Sequence, residues 1–271
     1  MTLDAVAFER IRKLVYERAA IVLETGKEYL VESRLASMAR YHGYTDVNAL
    51  VKCLDSRQPS LANEVVEAMT TNETSFFRDH HPFEAIKRIV LPELVEKRAK
   101  THSLRIWCAA CSTGQEPYSI AMMLDQYFPL LASWKVSILA TDISKAVLAR
   151  AASGRYRQVE IDRGLSEIAR SRYFRQDKLE WEIRPELRKL VRFEELNLAG
   201  RWPAMAAFDL VFLRNVLIYF DQPAKLSVLA KMRGQVHDDG YLILGGSETM
   251  PVGVNAFQRL PVQRAGIYRP V

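Results

Sequence analysis

Glu116 is a carboxylate placed where chain geometry asks for a ligand. It lies in Cys111-Ser-Thr-Gly-Gln-Glu-Pro-Tyr-Ser119, after the apolar run Leu104 to Cys108 and the small residues Ala109, Ala110, Ser112 and Gly114. Small residues let a backbone turn tightly and approach a ligand closely. From Gln115 onward, Ile120, Ala121 and Leu124 predict a helix, with Pro117 tolerated in its first turn. Strand, small-residue turn and helix together cradle a nucleotide-type cofactor in doubly wound α/β folds. Yet the G-x-G-x-x-G pattern is absent, and a carboxylate at a helix start repels a pyrophosphate. Such a site suits a ligand with hydroxyls or a positive charge, and S-adenosylmethionine has both.

Further polar residues follow the ends of other apolar runs. Asp142 follows Ile138-Leu-Ala-Thr, Asn197 and Leu198 follow Leu190 to Phe193, and Arg214 and Asn215 follow Phe208 to Leu213. In a parallel sheet those carboxyl ends share one edge, and ligands bind in the crevice there. Asp142 is the candidate for two ribose hydroxyls; a role as N-cap for a helix from Ser144 is compatible with that. Asn197 and Leu198 would read the edge of an adenine and cover its face. Glu116 would face the amino or sulfonium end, and Asn215 with Tyr219 would frame the reacting end. Cys108 and Cys111 form a C-x-x-C, but only Cys53 remains as a further thiol, so packing is expected and no metal. His80 and His81 have no partner at a recognisable spacing and read as a surface pair.

Three segments carry a family resemblance: residues 111–119, Thr71-Asn-Glu-Thr-Ser-Phe-Phe-Arg78 and Arg214-Asn-Val-Leu-Ile-Tyr-Phe220. In that order they resemble the chemotaxis receptor methyltransferases, the CheR family, across nearly the whole chain. Two positions depart: Ala110 stands where the family usually has Gly, and Gln115 where it usually has Glu. Both are mild, since Ala is small and Gln115 lies beside the cofactor carboxylate. The resemblance implies a cytoplasmic enzyme, recruited to membrane-bound receptors, that turns receptor glutamates into methyl esters. Its cofactor would be S-adenosylmethionine and its product S-adenosylhomocysteine. Asn72, Thr74, Arg78, Glu116, Asp142, Asn197, Leu198, Arg214 and Asn215 would hold the cofactor, with Arg78 and Tyr219 positioning the carboxylate. The implied partner is the cytoplasmic helical bundle of chemoreceptors, with a receptor C-terminal tether as a further contact.

These groups need elements to position them. The expected fold is α/β: a Rossmann-like S-adenosylmethionine-dependent methyltransferase domain behind an all-helical N-terminal domain. Residues 1–67 read as helices, 68–82 as a linker that contributes to the active site, and 83–271 as the methyltransferase domain. Phe8, Ile11, Leu14, Val15 and Ala19 share one helical face. A second helix, Tyr29 to Tyr41, turns Leu30, Leu35 and Met38 inward and Arg34 and Arg40 outward; with Lys27 these offer a basic face. Thr45 reads as the N-cap of Val47 to Leu54. Ile86, Ile89, Leu91 and Leu94 form another apolar set, kinked or split by Pro92. Apolar runs at 104–108, 136–140, 189–193, 208–213 and 241–244 alternate with helical stretches, which implies a mostly parallel sheet. Ala265 to Arg269 would return antiparallel. At about 153–188 the alternation breaks, and Leu179-Glu-Trp-Glu-Ile183 shows strand periodicity, so a small antiparallel β-subdomain is expected there.

Composition narrows the function classes. Hydrophobic residues at 49% and charged residues at 26% are those of an ordinary globular chain, and no run approaches the ~18 apolar residues of a membrane span. Membrane insertion is therefore not expected. Three cysteines do not make a disulfide framework. The net charge of +6 permits an acidic protein or nucleic acid as partner. A nucleic-acid methyltransferase usually shows an Asp/Asn-Pro-Pro-Tyr or a Pro-Cys motif, and residues 214–219 provide neither. A non-catalytic, cofactor-sensing adaptor is the remaining competitor, and the full set of crevice motifs argues against it.

Overall fold

The computed structural model describes residues 3–54 and 59–271. The helical reading of residues 1–67 therefore includes two stretches, 1–2 and 55–58, outside the described residues. Four helices open the chain: α1 (Ala5–Ala19), α2 (Glu28–Tyr41), α3 (Val47–Lys52) and α4 (Pro59–Met69). Asp4 caps α1 by accepting the Ala7 amide, and Asp46 caps α3 by accepting that of Ala49. The cap of α3 is thus Asp46 and not Thr45, since a carboxylate is the stronger acceptor at that position. Phe8, Ile11 and Val15 of α1 meet Val31 and Leu35 of α2, Leu50 of α3 and Val65 of α4 in one buried core.

After a connector, α5 (His81–Ala85) runs through a π turn (Ile86–Val90) into α6 (Leu91–Lys97). Pro92 has no amide to give the carbonyl four residues back, so the ladder slips to the wider turn just before it. That slip rotates the phase of the apolar stripe. Ile89, expected inside, is exposed, while Ile86, Leu91 and Leu94 are buried.

The α/β part follows as β1 (Ser103–Ala109), α7 (Gln115–Tyr127), β2 (Lys135–Asp142) and α8 (Lys145–Ser153). Between α8 and the next strand of this sheet lie β3 (Arg155–Arg157), α9 (Gln158–Asp162), α10 (Glu167–Tyr173), β4 (Phe174–Asp177), β5 (Glu180–Ile183) and α11 (Pro185–Arg188). The chain ends through β6 (Val191–Glu195), β7 (Phe208–Leu213), α12 (Gln222–Arg233), β8 (Val236–Leu244), β9 (Phe257–Arg259) and β10 (Gly266–Pro270). The main sheet runs β6-β2-β1-β7-β8-β10-β9, with β10 antiparallel to both its neighbours, β8 and β9, and the other pairs parallel. Strand β9 had no counterpart among the expected runs. Strand order reverses at β1, so the crevice opens beyond the carboxyl ends of β1, β2 and β7. Central β1 is covered on both faces, which is why Ile106-Trp-Cys-Ala109 reads as an unbroken apolar run.

The inserted strands form a separate antiparallel sheet, β3-β5-β4. Phe76 of the connector inserts between Tyr156 of β3 and Phe174 of β4, edge to face, with ring centroids 5.0 and 5.5 Å away. The connector is therefore anchored on the inserted sheet.

Candidate functional site

A cavity of about 890 Å³, open mouth included, lies at the strand-order reversal. Asn72, Thr74, Arg78, Glu116, Asp142, Asn197, Leu198, Arg214, Asn215 and Tyr219 all line it. So do Ala19 and Ile21, from the end of α1, which sequence reasoning left in a plain helical domain. His80 and His81 are exposed and outside its wall.

The turn after β1 is tight because Ala110, Ser112 and Gly114 adopt positive φ of 62°, 50° and 92°. A side chain at Gly114 would press on Ala151 and on the hydroxyl of Tyr156, so glycine is required there. This turn aims the Ser112 amide at Asp142 Oδ2, 2.8 Å away, while Asp142 Oδ1 accepts the Ser144 amide at 3.1 Å. Ser144, rather than Asp142, caps α8 through its own hydroxyl. Each Asp142 oxygen keeps a lone pair for one more donor, which suits a pair of ribose hydroxyls.

Burial dominates the acids. It pushes the Glu116 carboxyl above its ordinary range, against the opposing pull of Arg214. It pushes Asp142 up likewise, against the Ser144 and Ser112 amides. Arg214, with a side chain only 2% exposed, donates to Glu116 Oε2 (2.9 Å), to Asp79 Oδ2 (2.9 Å) and to the Arg78 carbonyl (2.8 Å). It thereby ties β7, α7 and the connector together at one point. Burial also raises the Cys108 and Cys111 thiols well above their usual value, so both stay protonated and unreactive.

The connector stores backbone strain. Phe77, Asp79 and His80 have φ of 47°, 66° and 49°, in the left-handed region that costs ~1–3 kcal/mol for a non-glycine residue. Asp79 is held by Arg214, and the Phe77 amide by Ser119 Oγ at 2.9 Å. Arg78 is half-buried and donates to the Glu73 carbonyl at 2.9 Å. Asn215 is left-handed as well, with φ of 58°.

Some side chains are committed in ways the sequence did not suggest. Asn197 donates from Nδ2 to the Arg18 carbonyl (2.6 Å) and accepts the Ala199 amide (2.9 Å), so part of its capacity to read an adenine is already used. Arg34, expected outward, is half-buried and bonds the start of the connector. Glu248 was missed altogether. Its Oε2 accepts the Asn215 amide at 2.6 Å and the Gly245 amide at 2.8 Å, bracing the ends of β7 and β8. Its signal was the polar Gly245-Gly-Ser-Glu248 after the last parallel strand.

The donor set fits S-adenosylmethionine. Acidic Glu116 and Asp142 face the same space as the apolar Ile143, Leu196 and Leu198, which supplies acceptors for hydroxyls and a slot for a base. Of the two cations in the wall, Arg214 is neutralised by Glu116 and Asp79, so no grip for a pyrophosphate remains beside Glu116. No group of three or more metal-binding side chains occurs among the described residues.

Comparison with known proteins bears on both parts of the chain. Residues 72–265 match the family described as CheR methyltransferase, SAM binding domain, and residues 7–70 match CheR methyltransferase, all-alpha domain. Chemotaxis protein methyltransferase 1 of Pseudomonas aeruginosa is 40% identical, over 97% of this chain and 97% of that protein. A chemotaxis protein methyltransferase of Pseudomonas putida is 38% identical, covering 92% of each. That of Escherichia coli is also 38% identical, over 92% of this chain and 86% of its own length.

Proposed function

The chain belongs to the CheR methyltransferase family, and from that premise we propose that it methylates glutamate side chains of chemoreceptors. Its cofactor is S-adenosylmethionine. The observation that carries the reading is that Arg78 and Tyr219 share one cavity with Glu116 and Asp142. One pair can position an anionic acceptor while the other holds a cationic cofactor.

When bound, S-adenosylmethionine would supply a sulfonium methyl group open to in-line attack by a carboxylate oxygen, the O–C bond forming as the C–S bond breaks and its electron pair stays on the neutral thioether that leaves. A glutamate with a pKa near ~4.3 is ionised at neutral pH, so no residue of this chain has to remove a proton. Carboxylate and sulfonium neutralise each other in the transition state. The protein's task is orientation and partial exclusion of water. Arg78 and Tyr219 orient the acceptor; Asn72, Thr74, Glu116, Asp142, Asn197, Leu198, Arg214 and Asn215 hold the cofactor. Arg78 should not grip the carboxylate too firmly, because binding the ground state more than the transition state slows the step.

Lys27 and the exposed Arg40 give α2 a basic face for the acidic side of a receptor helical bundle. The outer edges of the inserted sheet, β3 and β4, pair with no further strand among the described residues and suit a receptor tether added as a strand. Transfer of tritium from labelled S-adenosylmethionine onto receptor-containing membranes tests the central reading. Base treatment should release the label as methanol, as carboxyl esters do. Label that stays on protein through base, or appears in nucleic acid, would overturn it.

A further inference from the structure

We infer that Arg34 is a positioning residue of the cofactor cavity, reaching it from α2 through the first residues of the connector. α4 ends at Met69, and a helix leaves its last carbonyls without intrahelical partners. The Arg34 guanidinium takes two acceptors there: Nη1 donates to the Met69 carbonyl at 2.7 Å and to the Thr70 carbonyl at 2.9 Å. Nη2 donates to Thr71 Oγ1 at 3.0 Å. Charge-assisted bonds from one planar fork fix both distance and direction, which a flexible lysine ammonium does not.

What the fork fixes is cavity wall. Thr70 and Thr71 both line the cavity, and the next residue, Asn72, accepts the Ser112 hydroxyl on its carbonyl at 2.8 Å. The Ser112 amide in turn bonds Asp142. A short chain of bonds therefore runs from α2 through residues 70–72 to the carboxylate placed at the ribose. Arg34 touches neither cofactor nor acceptor. It acts by setting where Thr70, Thr71 and Asn72 stand relative to the turn after β1.

A residue used only to meet a receptor would leave cofactor binding alone, so the decisive measurement contains no receptor. The test is titration calorimetry of S-adenosylhomocysteine into the full chain, with circular dichroism to verify folding. Arg34→Ala should weaken binding about tenfold, the low end of what one hydrogen bond to a charged group is worth. Arg34→Lys should recover part of that. Lys13→Ala, on an exposed face of α1, should bind as the parent does. In methyl transfer, Arg34→Ala should raise the KM for S-adenosylmethionine far more than it lowers kcat. A folded Arg34→Ala that binds S-adenosylhomocysteine within about twofold of the parent overturns the inference, that being less than half a kcal/mol. Should Arg34→Ala fail to fold, Arg34→Gln decides. That variant keeps a donor and much of the packing, and native affinity in it overturns the inference equally.

Discussion

Glu116 and Asp142 are acids that the fold keeps at a cost, and the cost has a pH signature. Both hold their protons to higher pH folded than unfolded. Stability from that source is present below the ordinary carboxyl range and is lost as pH rises through the raised folded values. Cofactor hydroxyls want ionised acceptors, so ligand binding offsets the loss over the same rise. The increase in melting temperature on adding S-adenosylhomocysteine should therefore be larger at about pH 7 than at about pH 5. Asp142→Ala should weaken S-adenosylhomocysteine by ~1.5–3 kcal/mol in calorimetry, the value of a hydrogen bond to a charged group. Glu248 makes a different prediction, because it faces backbone amides and holds left-handed Asn215 in place. Glu248→Gln keeps an oxygen for those amides and should retain most affinity. Glu248→Ala strands one buried and one half-buried donor and should destabilise the protein by ~1–3 kcal/mol, with weaker cofactor binding. Equal behaviour of the two variants in thermal melts and calorimetry would remove Glu248 from this role.

At the scale of elements, the connector between α4 and α5 holds three left-handed non-glycine residues, Phe77, Asp79 and His80, and is anchored by the buried ring of Phe76. Gly164, before α10, has φ of 107°, and a Cβ there would collide with the carbonyl of Phe76. Gly164→Ala should therefore shift the connector, lowering both melting temperature and affinity for S-adenosylhomocysteine; a variant with unchanged affinity would uncouple the inserted sheet from the cavity. Arg78→Ala should abolish most single-turnover transfer while S-adenosylhomocysteine still binds. The parent rate should stay nearly flat between about pH 6.5 and 8.5, because no His or Cys acts as base. A limb near pH 7 that vanishes on replacing His80 or His81 would restore a general base. Most of the strand ends were legible in the sequence, since buried parallel strands are apolar runs and polar residues stop them abruptly. Asp142 and Arg214 could be placed at the crevice for that reason alone. Arg34 and Glu248 could not, and Asn197 was placed there without the bonds that occupy it, because spacing along a helix or loop does not tell which distant carbonyl or amide a side chain meets. The π turn escaped for a related reason. A proline predicts that a ladder must break, not whether the break kinks the helix or widens one turn.

The whole molecule is fastened at its far side from the cavity by a second charged knot. Arg98, at the end of α6, bonds Asp209 of β7 at 2.6 Å and both oxygens of Asp239 on β8. That hydrogen bond holds the Asp239 carboxyl down to about 2, so its share of stability is present above the ordinary aspartate range and fades only as pH falls through about 2. Asp209 is buried, so Arg98→Ala leaves an uncompensated charge and should cost ~3 kcal/mol in denaturant unfolding. On the cavity side the fastening joins the end of α1 to the segments that follow β6 and β7. The Val22 amide bonds the Tyr219 carbonyl at 2.9 Å, Asn197 reaches the Arg18 carbonyl, and Tyr16 donates to Asp221 at 2.7 Å. Contacts so distant in sequence carry the entropy of closing the long loop between them. During synthesis the first helices leave the ribosome long before Tyr219 exists. A nascent chain can carry Glu116 and Asp142 and still have no closed pocket, so competence to hold cofactor arrives only when the last third of the polypeptide is made.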